Sequence, residues 1–368
     1  MKRRSFLKGS AVTATGAASF GGLSAPAYAT GQRKLKMVTT WPKNFPGLGT
    51  RAAQFAKDID SATDGRIKVK VMAANDPVPP LQVFDAVARG KADIYHGADY
   101  YWQGKHKAFP FFSAVPFGLT AVETIQWLNF GGGQDLWDEL SGQFNIKSML
   151  CCNTGVQMGG WYKKEINTLE DFKGLRIRMP GMGGEVMRRL GATPVTKAGG
   201  EIFLALSQGN IDASEWVGPW NDMAFGFQKI VKNYYTSGFH EPGAAIAAGF
   251  NLDVWNSFNK ADQSIIKAVA ADNYLNSLAE FNARNAAALD ILVKKHGVKA
   301  RTFSEEIMRK LLETSDQVIR EIAETDDLAK RIYNSYMQTR RNSMAWSAVA
   351  DEPYIKARRL DMNFGKKI

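Results

Sequence analysis

Polar side chains suited to ion and carboxylate chemistry follow short strand-like segments in the middle of the chain. They are the amides of Asn153 and Gln157, the guanidinium of Arg178, and the carboxylates of Glu215 and Glu241. An arginine in a cleft holds a carboxylate through two parallel, charge-assisted hydrogen bonds. Two carboxylates with amide and backbone oxygens suit a hard cation. A structural salt bridge between Arg178 and one of the glutamates is the alternative, and the residues leave both open.

The sequence lacks the motifs of common catalytic centres. It contains no HExxH, no GxSxG and no Walker loop, and its glycine-rich stretches lack the dinucleotide spacing. The four histidines are scattered, and no nucleophile, base and orienting residue occur together. An exported cation-dependent enzyme acting on a small carboxylic acid is the rival prediction, with His240 as its only candidate base.

Strands and helices alternate in the first part of the chain. The pattern predicts a strand at 34–40, a helix at 48–62 and a strand through Ile67, Val69 and Val71. Such alternation predicts a parallel sheet with crossover helices, whose ligands bind at the carboxyl ends of the strands.

The segment before Glu215 repeats an earlier one 119 positions upstream. Phe84, Ala86, Val87, Gly90 and Asp93 match Phe203, Ala205, Leu206, Gly209 and Asp212 in order. A second correspondence pairs 66–69 with 176–179. The repeat predicts two similar α/β lobes, with Glu215 and Trp216 at a strand end facing the gap between them. Chance recurrence of helix, glycine and strand is the alternative.

In the later part of the chain, the sequence pattern predicts that the chain returns to the first lobe and then forms helices. A strand through 246–252 makes the return, and a helix from near Asn259 to Gly297 is long enough to break or to lie across both lobes. Further helices begin at Ser304 and Asp326. The last carries five large apolar side chains, Tyr333, Tyr336, Met337, Met344 and Trp346. Such a set predicts packing on another surface, of this chain or of a partner.

The first 29 residues have the features of a twin-arginine export signal. Arg3 and Arg4 precede a weakly apolar stretch, and 27–29 (Ala-Tyr-Ala) supply the cleavage site, after Ala29. Removing this signal lowers the formal net charge from +11 to +7. The remaining positive charge favours anionic ligands.

The basic residues are scattered along the sequence without interleaved aromatics, which argues against nucleic-acid binding. The only cysteines, Cys151 and Cys152, are adjacent and are predicted to be buried small hydrophobes. No stretch after the signal reaches the length of a membrane span.

Over essentially its whole length after the signal, the chain resembles the periplasmic solute-binding proteins of tripartite ATP-independent (TRAP) transporters, the DctP-like family. The blocks that carry the resemblance are NTGVQMGGW at 153–161, LRIR at 175–178, IDASEWVGP at 211–219 and Trp41-Pro42-Lys43. It is greatest to the members that bind 2-oxo acids and lactate. It implies an α/β, two-lobed periplasmic solute-binding protein fold with hinge strands, a long lobe-spanning helix and C-terminal helices.

The resemblance also implies roles for individual residues. Arg178 matches the arginine that grips the ligand carboxylate, and Gln157 matches an amide that touches both ligand and cation. The implied substrate-binding residues are Asn153, Gln157, Arg178, Tyr101 and Trp216. The implied cation ligands are Glu215, Glu241, Gln157 and the backbone carbonyl of Trp216.

We therefore predict a periplasmic receptor that captures a small monocarboxylate, such as pyruvate or lactate, with bound Na⁺ or Ca²⁺. It would close its lobes around the ligand, deliver it to the membrane permease and catalyse no reaction. Residues 1–29 would be the signal, 30–153 with 243–325 lobe I, 154–242 lobe II, and 326–368 a C-terminal helical segment that forms a homodimer. Arg178→Ala is expected to abolish binding with little loss of folding.

Overall fold

The computed structural model describes residues 31–360, in which strands and helices alternate. The strands are β1 (Arg33–Thr39), β2 (Ile67–Met72), β3 (Ile94–Gly97), β4 (Ile146–Asn153), β5 (Gly160–Tyr162), β6 (Arg176–Arg178), β7 (Thr193–Val195), β8 (Ala213–Ser214), β9 (Asn233–Thr236), β10 (Ala245–Asn251) and β11 (Lys299–Thr302). The helices are α1 (Leu48–Ala62), α2 (Val83–Ala88), α3 (Ala121–Phe130), α4 (Gly133–Gly142), α5 (Gly181–Arg189), α6 (Gly199–Ser207), α7 (Pro219–Phe225), α8 (Leu252–Asn256), α9 (Lys260–His296), α10 (Glu305–Ala323), α11 (Asp327–Ser347) and α12 (Asp351–Ala357). The predicted α/β class is confirmed, and α1 has the predicted bounds.

The first sheet has the order β2-β1-β3-β10-β4. β1 pairs in parallel with β2 and β3, whereas β10 runs antiparallel between β3 and β4. Leu35 and Met37 alternate inward from β1 and pack with Phe55 of α1 in a buried cluster. Cys151 and Cys152 are buried on β4 as free thiols, as predicted. The return of the chain through β10 confirms the strand expected at 246–252.

The second sheet has the order β11-β9-β5-β8-β6-β7. β6 lies in parallel between β7 and β8, and Arg178 is the register partner of Ser214. The predicted division of the chain placed 243–325 with the first lobe, but β11 pairs with β9 in this second sheet. β11 joins this sheet because the chain that leaves α9 lies beside β9, where the Lys299 amide donates to the Lys232 carbonyl at 2.8 Å.

The predicted repeat of helix, glycine and strand occurs in both halves. Gly90 after α2 and Gly209 after α6 have positive φ, and the aspartate three residues further on accepts a backbone amide bond from the neighbouring strand. The second correspondence, of 66–69 with 176–179, is wrong. β6 lies beside β8 as β1 lies beside β3, so the counterpart of β6 is β1 and not β2.

Helix α9 has the predicted ends because both are set by local capping. The Asn259 side chain accepts the Asp262 amide, and Gly297 adopts the left-handed conformation after His296. The helix is 37 residues long and packs against β4 and α1 of the first half and α7 of the second. It therefore lies across both halves without a break.

The C-terminal helices pack mainly on the chain itself. Asp326 caps α11 as predicted, and Tyr336 is buried against Phe111 and Trp127 on the first half. Met344 and Trp346 of the five predicted apolar side chains are exposed, and α12 adds further exposed apolar groups. The twin-arginine signal lies outside the described residues. Among those described, no helix combines the length and apolarity needed to cross a membrane.

Gly249 on β10 allows the ring of Tyr95 to lie flat against the sheet. A Cβ at this position would come within 2.0 Å of the Tyr95 ring, and the Tyr95 hydroxyl is held by Asp99 at 2.8 Å. We expect Gly249→Ala to lower the free energy of unfolding by about 1–3 kcal/mol, as overpacking does elsewhere. Denaturant unfolding measures this. Gly104→Ala is the control, because no atom lies within 4 Å of its added Cβ, and an equal loss in both variants would contradict the assignment.

Candidate functional site

The predicted polar residues meet where strands of the second sheet end. Arg178 is the last residue of β6, and Glu215 follows β8 directly. Because β6 and β8 are parallel neighbours, their carboxyl ends lie side by side, which is where ligands of such sheets bind. Glu241 enters from the loop between β9 and β10, and all three side chains are buried.

The Arg178 guanidinium is fully buried and partly satisfied by the chain. It donates to Glu215 Oε1, to the Lys197 carbonyl at 3.1 Å and to the Tyr101 hydroxyl at 3.0 Å. Burial is the largest single influence and lowers the pKa of Arg178, but the charge of Glu215 together with Tyr101, Tyr100 and Glu241 outweighs it, so the pKa is raised. The structural salt bridge left open by the sequence is thus present. Described residues use three of the five N–H groups, so two are available to a ligand carboxylate.

This pair changes the expectation for Arg178→Ala. Removal of the guanidinium leaves Glu215 buried beside Glu241 with no compensating charge. Breaking a buried ion pair from one side costs about 3–5 kcal/mol. We therefore now expect Arg178→Ala to destabilise the fold as well as to abolish binding. A substitution that keeps the positive charge is needed to measure the effect on ligand affinity alone.

The second carboxylate, Glu241, lies where a negative charge is unfavourable. Burial raises the pKa of Glu241 well above its usual range, the charge of Glu215 raises it further, and Arg178 lowers it. Oε2 of each glutamate has no hydrogen-bond partner among the described residues. Buried oxygens without partners are costly, so these atoms point to a group that supplies positive charge.

The side chains around these oxygens fit a cation. Glu215, His240 and Glu241 each offer a ligand atom, and these atoms lie within 4.8 Å of one another. Oε1 of Gln157 also lacks a partner among the described residues, while its amide nitrogen donates to Thr154 at 3.1 Å. The two carboxylates of this buried cluster suit Na⁺ or Ca²⁺, and the nearby chain of Gln157 donates its backbone amide to the Glu241 carbonyl at 3.1 Å. His240 Nε2 lies 3.3 Å from Glu215 Oε2 and adds a nitrogen beside them.

Trp216 forms the aromatic wall of this cluster. Its ring faces Gly199, where a Cβ would come within 2.4 Å, and the Arg178 guanidinium lies 5.1 Å from the ring centre. Trp41 and Phe45, from the loop after β1, contact its edges. The first half of the chain therefore reaches the site through these two rings and through Tyr101.

Asp222 holds the backbone that directly follows Trp216, and sequence reasoning missed it. Oδ1 accepts the amides of Val217 and Gly218 at 3.1 and 3.0 Å. Oδ2 accepts the Trp161 indole and the Tyr234 hydroxyl. Burial raises the pKa of Asp222 to about 7, while these four donors lower it. No sequence signal marks the residue, because two of its four partners lie on the distant strands β5 and β9.

Asn153 lies in the scaffold of the site. Its amide nitrogen donates to the Tyr274 hydroxyl at 2.9 Å, and its oxygen accepts the Gly155 amide at 2.8 Å. These bonds tie the turn before Gln157 to α9. Among the described residues, the Asn153 side chain forms no hydrogen bond with Arg178, Glu215 or Glu241. Its role as a substrate ligand stays a prediction.

Comparison with known proteins identifies relatives along most of the chain. Residues 37–326 match the family model described as bacterial extracellular solute-binding protein, family 7 (DctP). A monocarboxylate 2-oxoacid-binding periplasmic protein from Nostoc sp. is 40% identical over 319 residues, 87% of each chain.

Three solved structures of TRAP solute-binding proteins are similar in both sequence and fold. One from Bordetella bronchiseptica RB50, a mixed-occupancy dimer with calcium and picolinate, is 33% identical with a TM-score of 0.87, over 89% of this chain and 97% of that one. One from Pseudoalteromonas atlantica T6c with sodium and pyruvate is 36% identical, with a TM-score of 0.85 over 88% and 99%. One from Colwellia psychrerythraea with calcium and pyruvate is 34% identical, with a TM-score of 0.85 over 89% and 99%.

The family match spans more than half of the chain, and the relatives share its two-sheet fold. Solute-binding proteins of this family are periplasmic receptors of TRAP transporters. The chain belongs to bacterial extracellular solute-binding protein family 7, the receptors of TRAP transporters.

Proposed function

We propose that this receptor captures a small 2-oxo or 2-hydroxy monocarboxylate, such as pyruvate or lactate, together with Na⁺ or Ca²⁺, and passes it to the membrane permease. The observation that carries the proposal is the buried cluster of Arg178, Glu215 and Glu241 with its unpartnered carboxylate oxygens. The Nostoc, Pseudoalteromonas and Colwellia relatives support the ligand class.

The ligand carboxylate would bind the N–H groups of Arg178 that the chain leaves available. With both glutamates ionised, this anion would make three carboxylates that face one guanidinium, an excess of two negative charges. Protonation of Glu241, which its raised pKa favours, is the competing way to lower this charge, and it predicts tighter binding at low pH. Like charges a few ångströms apart are costly in a buried site. Glu215, Glu241, Gln157 and the Trp216 carbonyl would hold a cation there, which supplies the missing positive charge.

Binding would require the two halves to open and close. Arg178, Glu215 and Glu241 are all buried, and the Tyr101 hydroxyl of the first half accepts a bond from Arg178 of the second. A ligand that contacts both halves stabilises the closed form by its differential contacts, and the permease can recognise that form. The division into lobes 30–153 with 243–325 and 154–242 is part of this proposal, except for β11 and for α10, which packs against α5 of the second half.

An enzyme acting on the same acids is the alternative, and we propose that no reaction is catalysed. Both ring nitrogens of His240 lack hydrogen-bond partners among the described residues, so this imidazole is the base that an enzyme would use. However, it lies within the cation cluster and beside Glu215. Turnover of pyruvate or another 2-oxo acid by the purified protein would favour the enzyme.

We also propose that two copies of the chain associate through the C-terminal segment. Trp346 of α11 is 66% exposed, and Tyr354 and Leu360 are 65% and 70% exposed. Every residue of α12 is exposed, which is unusual for a helix with apolar side chains. The Bordetella relative is a dimer, which supports the proposal.

Arg178→Lys tests the carboxylate clamp without leaving Glu215 uncompensated. Lysine keeps the charge but cannot form two parallel bonds to one carboxylate, so we expect pyruvate affinity to fall at least about tenfold. Calorimetric titration gives the affinity. Arg176→Lys is the matched control, because it lies on the same strand, is exposed and pairs with Asp212. Affinity near that of the parent protein in Arg178→Lys would remove Arg178 from the ligand.

Removal of cations should abolish pyruvate binding. In chelator-treated, sodium-free buffer we expect no measurable heat of binding, and added Ca²⁺ should restore it more effectively than Na⁺ because it balances both excess charges. Glu241→Gln should raise the Ca²⁺ needed for half-maximal binding at least about tenfold. Glu201→Gln is the control, because this glutamate is exposed, and it should leave that Ca²⁺ concentration unchanged. Undiminished binding without cations would exclude the cation from the mechanism.

Light scattering at micromolar concentration tests self-association. We expect the mass of a dimer, and we expect Trp346→Glu with Tyr354→Glu to give monomers, because charges are not tolerated in an apolar interface. Leu204→Glu is the control, since this side chain is also exposed but lies on α6. A monomer mass for the unsubstituted protein counts against the dimer.

A further inference from the structure

Pairing of β1 with β2 brings together lysines that are far apart in the sequence. Lys34 lies opposite Lys68 and Lys36 lies opposite Lys70 in the parallel register. Neighbouring strands are about 4.8 Å apart and alternate residues about 6.6 Å apart along a strand. The four lysines therefore occupy the corners of a small grid on one face of the first sheet, which we call the lysine grid. The sequence showed only scattered basic residues.

The grid is exposed, and its positive charge is largely uncompensated. All four side chains are exposed, whereas the alternate residues Leu35 and Met37 point into the core. Among the described residues, only Lys68 has an ion pair, to Asp60 at 3.9 Å. Asp93 lies at the border, where its carboxylate accepts the backbone amide of Lys36 at 2.6 Å.

Like charges directly opposite each other on paired strands are unfavourable for the sheet. Protection of the sheet edge is one use of these lysines. β2 is an edge strand, and lysines on an edge discourage pairing with another chain. On β1, pairing with β3 begins only at Met37, so Lys34 and Lys36 lie on a stretch that pairs with β2 on one side and is bordered by Asp93 on the other. Their exposed position opposite two further lysines is what an external anionic partner would stabilise.

We propose that the lysine grid binds the surface of an anionic lipid bilayer. Lysine is a strongly hydrated point charge, which suits attraction to a layer of lipid phosphates more than the geometric recognition of one carboxylate. The grid lies on one face of the sheet, and its four positions are all lysine. This contact would hold the receptor near a membrane, and it is independent of the ligand and the cation in the cleft.

Vesicle sedimentation tests the lipid contact. Purified protein is mixed with vesicles of phosphatidylcholine alone, or with phosphatidylglycerol added, at low and at high salt. We expect binding only to the vesicles with phosphatidylglycerol, and loss of binding in high salt. Each lysine near an anionic surface strengthens binding about fivefold. Replacing Lys34, Lys36, Lys68 and Lys70 by Gln should therefore weaken binding at least about 100-fold.

A second quadruple variant controls for net charge. Lys57, Lys229, Lys260 and Lys330 are also exposed and lie elsewhere on the chain, and their replacement by Gln removes the same charge. We expect this variant to bind vesicles within a few-fold of the parent protein. Equal weakening in both variants would reduce the effect to net charge and overturn the grid as a site. Absence of vesicle binding by the parent protein would also overturn the proposal, leaving an acidic protein surface as the occupant.

Discussion

The buried Arg178–Glu215 pair is the interaction on which the rest of the site depends. Two charges taken out of water are stable only when their neighbours supply hydrogen bonds, and here the Lys197 carbonyl and the Tyr101 hydroxyl supply two of them to the guanidinium. Glu241 adds a second buried carboxylate. Among the described residues, no positively charged side chain forms an ion pair with it. A site built in this way is incomplete without a further positive charge, which is why ligand and cation binding are expected to depend on each other.

Positioning of these charges depends on residues that never face the ligand. Asp222 ties β5, β9 and the turn after β8 together, and Asn153 ties the turn before Gln157 to α9. Both are buried polar groups that bond a nearby turn as well as residues from distant parts of the chain. Each is stable only when every partner is in place, so the geometry of the cluster is set by the completed fold and not by its own segments.

This explains which features could be predicted from the sequence. The ends of α9 were predictable because Asn259 and Gly297 act locally on the backbone, and the repeat was predictable because Gly90 and Gly209 end helices in the same way. The pairing of β11 with β9, the role of Asp222 and the burial of Tyr336 depend on contacts between distant residues. The family blocks identified Arg178 and Glu215, but not that they are bonded to each other.

The buried carboxylates of the cleft and the exposed lysines of the first sheet differ in what they can recognise. In the cleft, carboxylate oxygens that have no hydrogen-bond partner among the described residues lie within 4.8 Å of each other and are shielded from water, so they would select an ion by size and charge. On the outer face of β1 and β2, the lysines remain in water, where a salt-sensitive attraction acts over about a Debye length. The first arrangement discriminates among ligands and the second cannot. A receptor that must choose its solute but needs only to stay near a membrane would use both, since interior charges confer selectivity at a cost in stability and surface charges confer proximity at little cost.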